Sequence, residues 1–479
     1  MSELWKLSAV ELAGAIRSRE VTATEVTQSV LDRINDRNPQ LNAIVFDLSE
    51  QALVQAAEAD AAVARGDALG PLHGVPVTVK ENVDQLGTPT TNGVPAFAQV
   101  MPSDDSPMVR NLRRAGAIFV GRTNTPEFSM RGTTDNPLRG RTFNPWDSEA
   151  SPGGSSGGAG SAAAAGFGPI HHGNDIGGSL RFPAFANGVT SVKPTSFRVP
   201  VFNPSATAER GPLSQAMSCQ GVIAREARDV RLGTQVLIQP DPRDPNSPPV
   251  PWRGSPVPEP ISVAVTTASA GFDIHPGIVD LVDRAAQLLA DAGYRVVRAD
   301  PPPILEPAQA WFKTGTTELQ VLLDPAVQAY GSDDIKKVFR HFFEASEIQD
   351  RDGYITHLAD RTRMMRAWNL FLDQYPLLIT PFMMSPLYSW NFDLGEFGDF
   401  KYFLDTSVYS FGLNYLGLPA GVIGLDLVHG LPAAIQVVGQ RFREDLICDA
   451  LEAIEAGNGI MAHRLWAREA ESMTGAAGG

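Results

Sequence analysis

An α/β architecture is what this sequence predicts, and three observations carry it. Helical and strand periods alternate along the chain, at least one strand presents two distinct faces, and 43% hydrophobic residues over 479 positions supply ample core for a compact fold. In chain order, Thr22-x-x-Glu25 matches a capping box, and Val26, Val30 and Ile34 then recur every four residues, which predicts an amphipathic helix with Pro39 beyond its end. GVPVTVKEN predicts a strand with Val75, Val77 and Val79 on one face and Thr78 and Lys80 on the other. Helix-then-strand pairs follow at residues 107 to 121 and 276 to 299. Between them, residues 240 to 260 hold nine prolines; strand and helix patterns resume unchanged on either side, so a surface loop is expected rather than an interdomain linker.

Composition narrows the function. Lysine and arginine number 39 against 54 acids, a net charge of −15, so the surface repels nucleic acid and anionic membranes. No apolar run approaches the roughly 20 residues needed to span a bilayer; YPLLITPFMMSPLYSW is broken by Pro376, Pro381 and Pro386. Cys219 and Cys448 are the only cysteines, which excludes a disulfide framework or cysteine-rich zinc site and suits a reducing compartment. The start MSELWKLSAVELAG interrupts its apolar residues with charges, so a cytoplasmic location is expected.

The chemistry centres on SPGGSSGGAG at residues 151 to 160. Alone, such a run reads as a flexible linker. Here an alanine-rich helix follows, and then GPIHHGNDIGGSLRFPA, a second glycine-serine turn flanked by Asp175 and Arg181. Two such turns imply close backbone approach. Neither the phosphate-cradling G-x-x-x-x-G-K-[ST] spacing nor a dinucleotide-binding G-x-G-x-x-G is present. Gly153 to Gly157 satisfies G-x-S-x-G, the elbow of an α/β-hydrolase-like esterase with Ser155 as nucleophile and His429 or His463 as base, but NPWDSEASP before it is polar and proline-broken where a buried strand is required. The eight histidines lack H-E-x-x-H spacing, and adjacent His171 and His172 face opposite sides of a strand, so packing roles are expected and no metal.

What remains is a lysine-serine-serine constellation: Lys80 in GVPVTVKENVDQLGTPTTNG, Ser155 and Ser156 in PGGSSGG, and Ser179 in GNDIGGSLRFPA. With GRTNTPEFS, NPWDSEASPGGSSGG, SVKPT, GLPA and LPAAIQVVGQRFRED, these motifs resemble the amidase signature family, which includes bacterial amidases and fatty acid amide hydrolase, over nearly the whole chain. The resemblance implies one domain over 1–479, with an amino-terminal helical segment (about 1–65), a catalytic core (about 66–240), a variable pocket region (about 300–400) and a mixed central sheet covered by helices on both faces. It also implies an amidohydrolase in which Ser179 attacks, Ser155 relays its proton and Lys80 is the base, with a cis peptide between Gly154 and Ser155. Ile176, Gly177 and Gly178 would form the oxyanion hole, Ser156, Asp175 and Arg181 would act as supports, and Ser129 would lie near the substrate entrance. Two departures stand out, Asn174 where many members have threonine and GVIGLD after GLPA where many have proline; neither is expected to touch the three reacting side chains.

Physical chemistry supports these roles. A serine hydroxyl attacks only when a neighbour takes its proton, and lysine can do so only if burial keeps it neutral. Bringing a lysine from about 10.4 to near 7 takes roughly 4 to 5 kcal/mol. Glycines at the Ile176–Ser179 turn let backbone amides approach an oxyanion. No cofactor is expected. The partner is a small amide, with hydrazides, anilides and carbamates as further candidates, and a homodimer is compatible. Trp311, Phe312, Met365, Trp368, Phe382, Met383, Met384 and Trp390 are expected to build an apolar or aromatic acyl pocket. An amidotransferase-type subunit or a non-catalytic scaffold, either needing a partner chain, is the remaining alternative.

Overall fold

The structure, a computed structural model, describes residues 3–476. Its strands are β1 (Ile44–Asp47), β2 (Pro76–Lys80), β3 (Ile118–Thr123), β4 (Ile170–Asp175), β5 (Thr190–Lys193), β6 (Cys219–Ala224), β7 (Ser262–Val265), β8 (Arg295–Arg298), β9 (Leu377–Pro381), β10 (Ala420–Val428) and β11 (Leu431–Gly439). They form one mixed sheet in the order β1-β3-β2-β4-β6-β5-β10-β11-β9-β7-β8. The β3-β2-β4 and β9-β7-β8 neighbours are parallel, and the remaining pairs are antiparallel.

The central strands are buried on both faces although they carry polar side chains, among them Thr78 and Lys80 in β2 and His171 and His172 in β4. All five residues of β2 are buried, so the two faces anticipated from GVPVTVKEN both meet protein. The helix at Ala23–Leu41 begins with the expected capping box: Glu25 donates its amide to Thr22 Oγ1 at 3.1 Å, and Thr22 donates its amide back to Glu25 Oε2 at 2.8 Å. Pro39, expected beyond the end, lies inside the last turn. The helix runs through it because left-handed Asn42 closes the end, donating its amide to Asn38 O at 2.8 Å. Pro107–Arg114 precedes β3 and Pro276–Asp291 precedes β8, as the periodicity requires. The proline-rich stretch is a loop feeding β7 of the same sheet, held where Arg198 donates to the carbonyls of Val250 and Pro251. GVIGLD lies within β10, whose residues pair with β5 on one side and β11 on the other, so prolines would remove ladder donors there. No helix among the described residues is long and apolar enough to cross a membrane.

Two features of this sheet position the site. Parallel β2, β3 and β4 end together at Lys80, Thr123 and Asp175, and antiparallel β6 starts beside them, with Cys219 opposite Asp175. Their carboxyl ends form a crevice of the kind where open α/β sheets bind ligands.

Candidate active site

All ten residues of SPGGSSGGAG are buried. The glycines are packing requirements: a Cβ on Gly154 would lie 2.4 Å from Arg131 O, and one on Gly158 2.4 Å from Asn124 N. The segment delivers Ser155 and Ser156 to the start of the buried helix Gly157–Ala165, and the Gly154–Ser155 peptide is cis, as the resemblance implied.

Lys80, at the end of β2, is fully buried with its side chain on the face opposite the valines. Its Nζ lies 2.8 Å from Ser155 Oγ, 3.1 Å from Ser156 Oγ and 2.8 Å from Asn174 Oδ1. Burial holds its pKa well below that of a free lysine; the charge of Asp175 opposes that shift and Arg210 reinforces it. Asn174 therefore touches Lys80 directly, contrary to the expectation that it would touch none of the three, and it is joined to Asn82 by a reciprocal amide pair. Ser179 occupies the turn between β4 and the helix Arg181–Asn187 and is half-buried. Among the described residues no hydrogen bond joins it to Ser155, so the geometry links the expected base and relay but not the expected relay and nucleophile; catalytic contacts commonly tighten only with substrate bound.

The turn carrying Ser179 is held from beneath. Asp175 accepts from Gly178 N at 2.7 Å, Leu180 N at 3.1 Å and Asn414 Nδ2 at 2.9 Å, and receives two contacts from Arg181 at 3.0 and 3.1 Å. Burial pushes the Asp175 carboxyl up, but Arg181 outweighs it and the group stays below the usual carboxylate range. The Gly178 amide, expected among the oxyanion donors, is thus engaged by Asp175, because φ +133° at Gly178 turns its N–H inward. Ile176 and Gly177 remain on the same turn, fixed through their carbonyls by Trp311 Nε1 at 2.8 Å and Ser410 Oγ at 2.8 Å.

Of the aromatic candidates, Trp311 and Phe312 converge on Phe411 at 4.9 and 4.8 Å, and Trp311 and Phe411 both stand where a Cβ on Gly177 would go. Phe382 packs 4.9 Å from Phe182, whose ring lies against Gly178. Met383 lines a cavity of about 510 Å³ with Tyr388, Phe392, Tyr402 and Phe403, and Phe403 stacks 5.0 Å from Phe182. Met384 is buried core. The other three fall elsewhere: Trp368 is buried on the inner side of its helix, Met365 lies in a depression lined by that helix alone, and Trp390 stacks under Arg141. An amphipathic helix must place some apolar residues on structural faces, which composition cannot separate from pocket walls.

Ser129 is half-buried, accepting from Asn82 Nδ2 at 2.9 Å and donating to Asn92 Oδ1 at 2.7 Å, which ties it to the Lys80 cluster through Asn82. His171 and His172 are buried against Thr78 and Gln220, and burial pushes both down to about 3. His429 sits in the β10–β11 hairpin with its ring edge-on to His275, and His463 packs on Trp466, so neither serves Ser155, whose hydrogen-bond partner is Lys80. Sequence reasoning missed Asn82, Ser410, Asn414 and Gln436, the last accepting from Arg181 at 2.9 Å. Ser410, Asn414 and Gln436 are signalled only by polarity inside apolar segments, and Asn82, in the polar run KENVDQ, carries no such signal; the contacts are long-range.

The Amidase family profile matches residues 25–448. An indoleacetamide hydrolase of Bradyrhizobium diazoefficiens is 45% identical over 97% of this chain and 88% of its own. One subunit of the glutamyl-tRNA(Gln) amidotransferase of Moorella thermoacetica is 31% identical, covering 95% of this chain and 97% of its own. Among solved structures, a bacterial aryl acylamidase of the amidase signature family superposes with a TM-score of 0.80 at 25% identity, covering 96% of this chain and 98% of its own.

Proposed function

This chain belongs to the amidase signature family of amidohydrolases, and from that premise we propose that it hydrolyses small aromatic amides, indoleacetamide foremost, through an acyl-enzyme on Ser179. The observation that carries the mechanism is the buried, depressed-pKa Lys80 hydrogen-bonded at 2.8 Å to Ser155. Neutral Lys80 takes the Ser155 proton while Ser155 takes that of Ser179, and the Ser179 oxygen pair attacks the amide carbon. The proton held on Lys80 returns through Ser155 to the leaving nitrogen as the C–N bond breaks, and water then repeats the sequence to release the acid. The amides of Ile176 and Gly177 stabilise the oxyanion.

The substrate class is supported by the indoleacetamide hydrolase relative and by the Trp311, Phe312 and Phe411 rings packed at the turn. Hydrazides, anilides and carbamates bearing the same flat acyl group fit the same chemistry. The test is a hydrolysis screen of indoleacetamide, phenylacetamide, benzamide, an aliphatic amide, glutamine and asparagine, with the matching hydrazide, anilide, carbamate and ester. The aromatic amides should be turned over fastest. Faster cleavage of glutamine or asparagine than of the aryl amides would overturn the substrate assignment, and co-purification with an obligatory partner would point to a transamidating role.

A further inference from the structure

We propose that Asn174 is a positioning residue of this reaction: together with Ser156 it takes both N–H bonds of neutral Lys80 and so turns the lysine lone pair onto the Ser155 hydroxyl. The inference rests on Lys80 being the base, and it follows from counting donors and acceptors. Nζ has three neighbours within hydrogen-bond reach, Ser155 Oγ, Ser156 Oγ and Asn174 Oδ1. A neutral primary amine offers two N–H donors and one lone pair, so one of the three must donate to it.

Asn174 Oδ1 carries no hydrogen and can only accept. Its orientation is set by Asn82: Asn174 Nδ2 donates to Asn82 Oδ1 at 2.9 Å, Asn82 Nδ2 donates to Ser129 Oγ at 2.9 Å, and Ser129 passes its own proton to Asn92 Oδ1 at 2.7 Å. Flipping the Asn174 amide would set its NH₂ against the lysine N–H groups and its carbonyl oxygen against Asn82 Oδ1. Ser156 spends its hydroxyl proton on the backbone carbonyl of Asn174 at 3.3 Å, so its oxygen also accepts from Lys80. Ser155 is left as the donor, and among the described residues its Oγ has no other hydrogen-bond partner. When Lys80 gains the proton, the new N–H points at Ser155 while the other two bonds persist. The site therefore holds both protonation states without rotating a side chain, the preorganisation that speeds proton transfer.

The charged and titratable groups around Lys80 are Asp175 and His172 on β4, Arg210 on the loop before the Pro212–Met217 helix, and Arg122 on β3, which donates to the Lys80 carbonyl at 3.1 Å. Asn174 is the neutral side-chain amide in contact with Nζ, so changing its charge isolates its effect. The experiment follows kcat/KM and the rate at which a sulfonyl fluoride labels Ser179, both against pH, in wild type, Asn174→Asp, Asn174→Ala and Lys80→Met, with thermal melts to confirm folding.

In Asn174→Asp a carboxylate beside Nζ favours the ammonium, so the rising limb should move up by about 1 to 3 pH units; below it, labelling should fall by about 10- to 1000-fold and recover at high pH. In Asn174→Ala the ammonium loses an acceptor while the lone pair loses its aim, so the limb should move down and the plateau of kcat should fall with KM little changed. If the Asp variant does not fold, the Ala variant carries the test. An unmoved limb in a folded variant, or both limbs moving the same way, would overturn the role of Asn174. Retention of the limb in Lys80→Met would instead overturn Lys80 as base.

Discussion

Replacing Arg181 by methionine tests whether the buried Asp175–Arg181 pair is what holds the Ser179 turn. Both side chains are fully buried, and Arg181 also donates to Gln436, to the carbonyl of Ser410 and to Asn414. Methionine keeps much of the apolar stem but strands the carboxylate, whose remaining contacts are the Gly178 and Leu180 amides and Asn414. Removing one partner of a buried pair costs about 3 to 5 kcal/mol, mostly the uncompensated charge. The loss should depend on pH. In wild type the folded Asp175 pKa lies below its unfolded value, so its contribution to stability is present above the unfolded pKa of about 3.9 and is lost as pH falls through the folded pKa. In the variant, burial without Arg181 raises the folded pKa above the unfolded one, so the destabilisation grows by about 1.4 kcal/mol per pH unit between the two. Urea unfolding at pH 5, 6, 7 and 8 should show a gap from wild type that is widest at neutral pH and narrows on acidification, with kcat falling as the turn relaxes. A difference below about 1 kcal/mol, or one independent of pH, would refute the reasoning.

Three further outcomes follow from the same contacts. Ser179→Ala should abolish turnover and fluorophosphonate labelling with the fold intact, whereas Ser155→Ala should reduce kcat/KM by about 10² to 10⁴-fold without abolishing it, read by steady-state kinetics; equal losses would count against a relay. Lys80→Met should be inactive, and its stability should rise less steeply between pH 7 and 10 than that of wild type. The folded Lys80 pKa lies below the unfolded value, so wild-type folding releases a proton in that window and gains stability as pH rises, a dependence that methionine removes; chemical denaturation across that range measures it, and parallel pH dependences would contradict a neutral buried lysine. Gly158→Ala should lose on the order of 3 kcal/mol in a denaturant titration because its Cβ meets the backbone of Asn124 and Ala43, which cannot give way; a loss under about 0.5 kcal/mol would return the glycine run to the status of a pliable turn.

What the sequence by itself determined is whatever local periodicity and spaced motifs encode. The alternating valines before Lys80 place that lysine on the opposite face of a strand, the Thr22–Glu25 pair marks a helix start, and two glycine-serine turns around an alanine-rich segment announce close backbone packing. The lysine-serine-serine motif identified the family, and the fold brings Lys80 and Ser155 into hydrogen-bond contact. Only the tertiary structure decided matters set by residues distant in the chain. Asn174 reads as a departure that spares Lys80, Ser155 and Ser179 until β4 lies beside β2 and brings its amide to Nζ. The Gly178 amide reads as an oxyanion donor until the inward turn hands it to Asp175. Trp311 and Trp368 are indistinguishable as apolar bulk, yet one donates to the Ile176 carbonyl and the other fills the core. Periodicity is written within a few residues of chain, whereas hydrogen-bond partners of a buried amide, and the desolvation that lowers a lysine's pKa, exist only once segments some 90 residues apart close over the same point.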